Sequence, residues 1–314
     1  MADFNDILKD IDRSINRFNK NIPASQKAMY QELVSELRRL DLNGDTIKTT
    51  VANLKIIQSI KNKLTRLILT DDYLSDVKEF VKSFNTVASL QNEYWKGVED
   101  KFKPTPLLKQ IRLQAIGDTV QSLTEAGIGA NIGDKIAGIL RTNITSGGSY
   151  KALNAQLLES LTDTDKSDGL LTRYSKQITT DAIQQYNRQY SHQAAAGLGF
   201  EWYAYQGSDI KTTRPFCDAM TDLRYFHVSE VPRLLRAEDL YYIKDGEKTK
   251  VPIYPKTGLP AGMIEGTNPE NFFIRAGGYN CGHAIRAVPE RNVPLDYRDR
   301  VYNTSAYQKW KSEN

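Results

Sequence analysis

Apolar residues recur every three or four positions through the first hundred residues of the chain. Phe4, Ile7, Leu8, Ile11, Ile15 and Phe18 fall on one face of a helix. Asn21-Ile22-Pro23 ends that helix, because proline lacks the donor needed to continue it. A second stripe, Met29, Leu33, Leu37 and Leu40, predicts a helix over residues 25–40, and Asn43-Gly44-Asp45 predicts a turn. Ile47, Val51, Leu54, Ile57, Ile60, Leu64, Leu67 and Ile68 keep step over about six turns. Asp71 or Asp72 can cap the next helix, which buries Tyr73, Val77, Phe80, Val81, Phe84 and Val87. Such near-heptad stripes predict a helical bundle or long hairpin, with a docking surface as the alternative.

Pro104-Thr105-Pro106 breaks the pattern and marks a domain boundary. Residues 107–196 read as helical again, but looser and richer in glycine. Gly127-Ile128-Gly129 and Gly133 lack the spacing and the preceding strand of a dinucleotide loop, so they read as helix ends and turns. Leu171 opens a long helix carrying Tyr174, Ile178, Ala182, Ile183, Tyr186 and Tyr190 on one side, with His192 as a surface or capping residue. After Gly197-Leu198-Gly199 the texture changes. Phe200-Glu201-Trp202-Tyr203-Ala204-Tyr205 alternates and is aromatic, which is a strand signature. Further strands are expected at residues 224–228, 240–243, 250–254 and 283–288, with a hairpin turn at Lys244-Asp245-Gly246-Glu247.

The expected fold class is α+β, with three parts. A helical arm or bundle spans residues 1–103 and is a docking region. A domain at 107–290 joins helices 107–196 to a small β-rich unit at 200–290. A polar tail with a few aromatics, 291–314, completes the chain.

The chain has 314 residues, 40% hydrophobic and 25% charged, which suits a globular protein of about two domains. Its net charge of +4 permits contact with nucleic acid without arguing for it, because opposite charges are interspersed. No apolar run approaches the roughly 18 residues that span a bilayer, so no membrane partner is expected. The charged N-terminus is neither a signal peptide nor a transit sequence, and synthesis in a reducing cytosol is the default.

The chain contains only three histidines and two cysteines. Four of these five lie near the C-terminus: Cys217, His227, Cys281 and His283. Thiolate and imidazole are the side chains that bind zinc best, and four of them close a tetrahedral site. Cys281-Gly282-His283 sets two ligand types on one side of an extended segment, and Cys217 follows the Arg214-Pro215-Phe216 turn. A Cys2His2 structural zinc site is one reading. Buried apolar cysteines beside a strand histidine form a second. A disulfide, disfavoured in the cytosol, is the third. No oxyanion loop or orienting residue accompanies Cys217 and His227, so no catalytic residue and no organic cofactor are assigned. Arg224, Arg233 and Arg236 offer phosphate contacts, or are solvated charges balanced by Glu230, Glu238 and Asp239.

Ser208-Asp209-Ile210-Lys211-Thr212-Thr213-Arg214-Pro215-Phe216-Cys217 resembles the D-x-x-T-R-P-x-C signature of phage minor head proteins, the Mu F-like (MuF-domain) head-morphogenesis family. Gly277-Gly278-Tyr279-Asn280-Cys281-Gly282-His283-Ala284-Ile285-Arg286 is similar to that family's closing P-N-C-R-C/H segment. The order between them also fits: a Tyr/Asn-rich helix from Thr180-Asp181-Ala182 through Asn187-Arg188-Gln189, a glycine break, an aromatic strand, then the first signature. Gly282 stands where the family often has arginine, and His283 where cysteine is common.

The resemblance implies a structural virion protein of a tailed bacteriophage. Such a protein is made in the host cytoplasm and present in few copies inside the capsid. Its partners are the portal protein, other head proteins and packaged double-stranded DNA, and it serves head assembly and DNA packaging or ejection. Alternatives are a toxin-like or nucleotide-modifying enzyme, since modules of this kind also occur attached to toxin domains, and a general DNA-binding protein.

Overall fold

The computed structural model describes residues 3–165, 167–207, 213–275 and 277–314. Helix α1 (Phe4–Asn19) buries Phe4, Ile7, Ile11 and Phe18 of the stripe expected from the sequence, with Leu8 and Ile15 half-buried at its edges. Pro23 lies in the first turn of α2 (Ile22–Leu37), where its missing donor breaks no helical bond, so it opens the second helix as well as closing the first. β1 (Leu42–Asn43) and β2 (Thr46–Ile47) form a short antiparallel hairpin before α3 (Val51–Ile68). Buried Asn53 donates to the carbonyls of Asp41 and Lys48 at 2.9 and 2.7 Å and accepts from the Asp41 amide at 2.8 Å. One side chain thus satisfies backbone groups that the short hairpin leaves over.

Helix α4 (Asp71–Val98) carries two aspartates in its first turn, where the helix dipole favours them. α5 (Pro106–Leu123) follows the Pro104-Thr105-Pro106 break. α6 (Glu125–Ile128), a π-helical turn (Gly129–Gly133) and α7 (Asp134–Thr145) run on as consecutive helical turns. Gly127, Gly129 and Gly133 therefore sit inside helical structure rather than at turns. A Cβ on Gly127 would fall 1.8 Å from the Ser122 carbonyl oxygen, so close packing requires glycine there. α8 (Tyr150–Leu161) is capped by the Ser149 hydroxyl, which accepts from the Ala152 amide at 3.0 Å.

The remaining elements are α9 (Leu170–Gly197), β3 (Trp202–Gln206), α10 (Pro215–Leu223), β4 (Tyr225–His227), α11 (Val231–Leu234), β5 (Tyr241–Lys244), β6 (Glu247–Lys250), α12 (Phe272–Arg275), β7 (Ala284–Val288), α13 (Leu295–Tyr302) and α14 (Ser305–Glu313). The fold is α+β, with the small sheets toward the C-terminus. Among the described residues no helix is long and apolar enough to cross a membrane.

The chain divides into two compact units. One comprises Lys9–Asn85 and Gln114–Thr179. Its core is formed by Ile57, Ile60 and Leu64 of α3 with Ile136, Leu140 and Ile144 of α7 and Leu153 and Leu157 of α8. The other comprises Met1–Leu8, Thr86–Leu113 and Thr180–Asn314, so the break at Pro104-Thr105-Pro106 falls inside it.

In that second unit β3 is the centre of an antiparallel sheet of order β4-β3-β7. Trp202 and Ala204 point to one face, with Val288, Val293 and Val301 and the half-buried Tyr225, Tyr297, Tyr302 and Tyr307. Tyr203 and Tyr205 point to the other, against Phe216, Phe226 and Phe273. Both faces of β3 are covered, so Trp202, Tyr203, Ala204 and Tyr205 are all buried and the in–out alternation expected from the sequence is absent. Residues 291–314, read from sequence as a polar tail, instead form α13 and α14, and Val301, Tyr302 and Tyr307 close over the Trp202 face. β5 and β6 make a separate two-stranded ribbon. Asp245 and Gly246 both adopt positive φ, at 52° and 85°, as a tight two-residue hairpin turn requires.

Candidate metal centre

Cys217 lies in the first turn of α10, two residues after Pro215 starts the helix. Cys281 and His283 lie on the segment leading into β7. The sequence separates these groups by more than sixty positions, yet the Cys217 and Cys281 sulfurs are 3.9 Å apart. The His283 Nδ1 is 3.6 Å from the Cys281 sulfur, and ligand atoms of all three residues lie within 4.8 Å of one another. All three side chains are buried.

Residues beside the two cysteines bring them together. Arg214 donates from Nη1 to the Gly277 carbonyl at 2.7 Å and from Nη2 to the Tyr279 carbonyl, clamping the loop before Cys281 to the start of α10. Gly277, Gly278 and Asn280 hold positive φ of 89°, 79° and 55°, which lets this loop turn its backbone inward. α9 grips the same loop with a polar stripe at i, i+3 and i+7. Asp181 accepts from the Asn280 amide at 2.6 Å, Gln184 donates to the Gly282 carbonyl at 3.4 Å, and Arg188 donates to the His283 carbonyl at 3.1 Å. The residues Ser208-Asp209-Ile210-Lys211-Thr212 of the first signature lie outside the described residues.

His227 does not belong to this centre, contrary to the four-ligand expectation. Strand register supplies the reason. His227 pairs with Trp202 at one end of β3, whereas Ala284, next to His283, pairs with Gln206 at the other. Four strand residues correspond to about 13 Å. The faces differ too, since His227 shares the Trp202 face and His283 stacks on Tyr205, with ring centres 5.3 Å apart. His227 is instead a buried structural residue. Its Nδ1 accepts from the Ser229 amide at 3.1 Å, and its ring meets Trp202, Tyr307 and Trp310 edge-on. Burial pushes its pKa down to about 4. His192 is neither a surface nor a capping residue. Half-buried, it lies 2.9 Å from the Tyr203 hydroxyl and stacks on Phe273, and burial lowers its pKa.

Electrostatics in the centre are uneven. Cys281 is held well toward thiolate by the hydrogen bond from Cys217, with His283 and Arg188 adding to the effect against the cost of burial. Cys217 is pushed up by that same bond and by burial. Burial pushes the Asp181 carboxyl up to about 6.

The donor set fits a zinc ion. With Zn–S near 2.3 Å and Zn–N near 2.0 Å, tetrahedral ligands stand about 3.8 Å apart for two sulfurs and about 3.5 Å for sulfur and nitrogen. Cys217, Cys281 and His283 could therefore hold the metal, and its role would be to tie α10 to the entry of β7. Asp181, Arg188, Tyr205 and Arg214 escaped the sequence reading as parts of the site. The legible signal was the polar stripe Asp181, Gln184, Arg188 on a helix whose other positions are core-forming. Arg233 and Arg236, considered for phosphate contact, are engaged by Glu230 and Glu238, the latter at 2.5 Å. No family model, curated protein or solved structure matches the chain.

Proposed function

We propose that the chain is a structural minor head protein of a tailed bacteriophage, bound at the portal inside the capsid and acting in head assembly and in DNA packaging or ejection. The observation that carries this reading is the meeting of the family-like segments. Arg214 and Cys217 of the first signature touch Gly277, Tyr279 and Cys281 of the second, and α9 residues of the preceding helix segment hold the same loop. Segments far apart in sequence that share a family's order serve one structural purpose, which favours common descent over chance matches of short motifs.

Burial of Cys217, Cys281 and His283 supports a staple rather than a catalytic centre, since a hydrolytic zinc keeps a position open to substrate. The enzyme alternative is correspondingly weaker. A surface suited to packaged DNA is the β5–β6 ribbon. Tyr241, Ile243, Lys248 and Lys250 share one exposed face through the pairs Tyr241–Lys250 and Ile243–Lys248. The strand positions of that face carry two lysines, with Glu238 acting electrostatically on Lys250, while an aromatic ring and an isoleucine offer contact to sugars and base edges.

Mass spectrometry of purified particles of the phage encoding the chain tests the proposal. A low, fixed copy number beside the portal protein is expected. Absence of the chain from the particles would reject it.

A further inference from the structure

We propose that Tyr205 supplies the fourth ligand of the Cys217–Cys281–His283 centre, through its phenolic oxygen and toward zinc. The inference rests on the metal reading of that centre and adds a residue to it.

Three distances radiate from the Cys281 sulfur. The Cys217 sulfur lies at 3.9 Å, His283 Nδ1 at 3.6 Å and the Tyr205 oxygen at 3.7 Å. A tetrahedral zinc with two sulfurs, one nitrogen and one oxygen has edges of about 3.8, 3.5 and 3.5 Å from a sulfur vertex. The three contacts thus reproduce, within a few tenths of an ångström, the edges that meet at one corner of such a site.

Two other oxygens near the centre already accept hydrogen bonds. Asp181 Oδ1 accepts the Asn280 amide, and the Gly277 carbonyl accepts Arg214. Tyr205 is only 2% exposed, like Cys217 at 2%, with Cys281 at 3% and His283 at 7%. Such enclosure disfavours an exchangeable water as the fourth ligand. Two glycines shape the space. A Cβ on Gly277 would fall 2.2 Å from the Cys281 sulfur and 2.8 Å from the Tyr205 oxygen. A Cβ on Gly207 would fall 2.3 Å from the His283 ring, which stacks on the Tyr205 ring at 26°. Both rings and the sulfur are therefore seated against backbone that has been cleared of side chains.

Binding would need both thiols and the phenol in their deprotonated forms, with every proton they carry passing to solvent, leaving two thiolates, one phenolate and a neutral imidazole on the dication. The resulting single negative charge sits beside Arg188 and Arg214, which already act electrostatically on this cluster.

The test uses the full-length chain. Zinc affinity is measured by chelator competition for the wild type and Tyr205→Phe, and the visible spectrum is recorded for both with Co2+. Tyr205→Phe is expected to weaken zinc roughly 10–100-fold and to alter the cobalt bands as the phenolate ligand is lost. Independently of any variant, adding zinc to the wild type should produce a near-ultraviolet phenolate difference band. Equal affinities with superimposable cobalt spectra, or zinc binding with no phenolate band, overturn the role of Tyr205 while leaving a three-residue site. A wild type that binds neither metal overturns the metal reading itself.

Discussion

His227 offers a quantitative check on the sheet face covered by α13 and α14. Its imidazole is enclosed by Trp202, Tyr307 and Trp310, and burial pushes its pKa from 6.5 down to about 4. Glu201 stands 3.6 Å from Nε2, and Glu230 and Glu290 also favour the charged form, but burial outweighs them. An unfolded chain takes up a proton at this position near pH 6.5, whereas the folded chain does so near 4. Within that window the unfolded state holds the extra proton. The contribution of neutral His227 is therefore complete above pH 6.5 and is lost as pH falls through about 4. Between pH 6.5 and 4.5 the loss amounts to about 2 kcal/mol.

His227→Asn is the matched control, because its side-chain oxygen can accept the Ser229 amide as Nδ1 does. Chemical denaturation of both proteins at the two pH values should show their stability gap narrowing by about 2 kcal/mol on acidification. With only three histidines in the chain, imidazole NMR should resolve the His227 midpoint directly. A midpoint near 6.5 with a constant stability gap would refute the buried-neutral account.

Two further outcomes are expected. Gly277→Ala combines a φ of 89° with a Cβ 2.2 Å from the Cys281 sulfur, so it should destabilise the protein by several kcal/mol, on the order of 2–4, and abolish high-affinity zinc binding, measured by melting temperature and chelator competition. Lys248→Ala with Lys250→Ala should leave melting unchanged and reduce the slope of log affinity against log salt for a random duplex by about 2; an unaltered slope would remove the ribbon from the DNA-facing surface.

Most of the helical half of the fold was legible because its signal is local, although in the third stripe Ile47 lies in β2 and Val51 and Leu54 are exposed. Phe4, Ile7, Ile11 and Phe18 must share a face at helical spacing wherever the helix goes, and all four are buried. The aromatic run of β3 was equally plain, as was the hairpin at Asp245-Gly246. The centre was half legible. Cys217, Cys281 and His283 stood out by rarity, but rarity says nothing of strand register, and register sends His227 to the opposite end and face of β3. Tyr205 was hidden because it looked like one more core aromatic among seventeen tyrosines. The last helices were missed since their few apolar residues, such as Val301, work only against a face formed a hundred residues earlier.

Elemental analysis of the purified full-length chain, beside Cys217→Ser, Cys281→Ser and His227→Asn, tests the central claim most directly. About one zinc per chain is predicted for the wild type and His227→Asn, with none in either serine variant. A metal-free wild type, or zinc lost from His227→Asn as fully as from the serine variants, would contradict it.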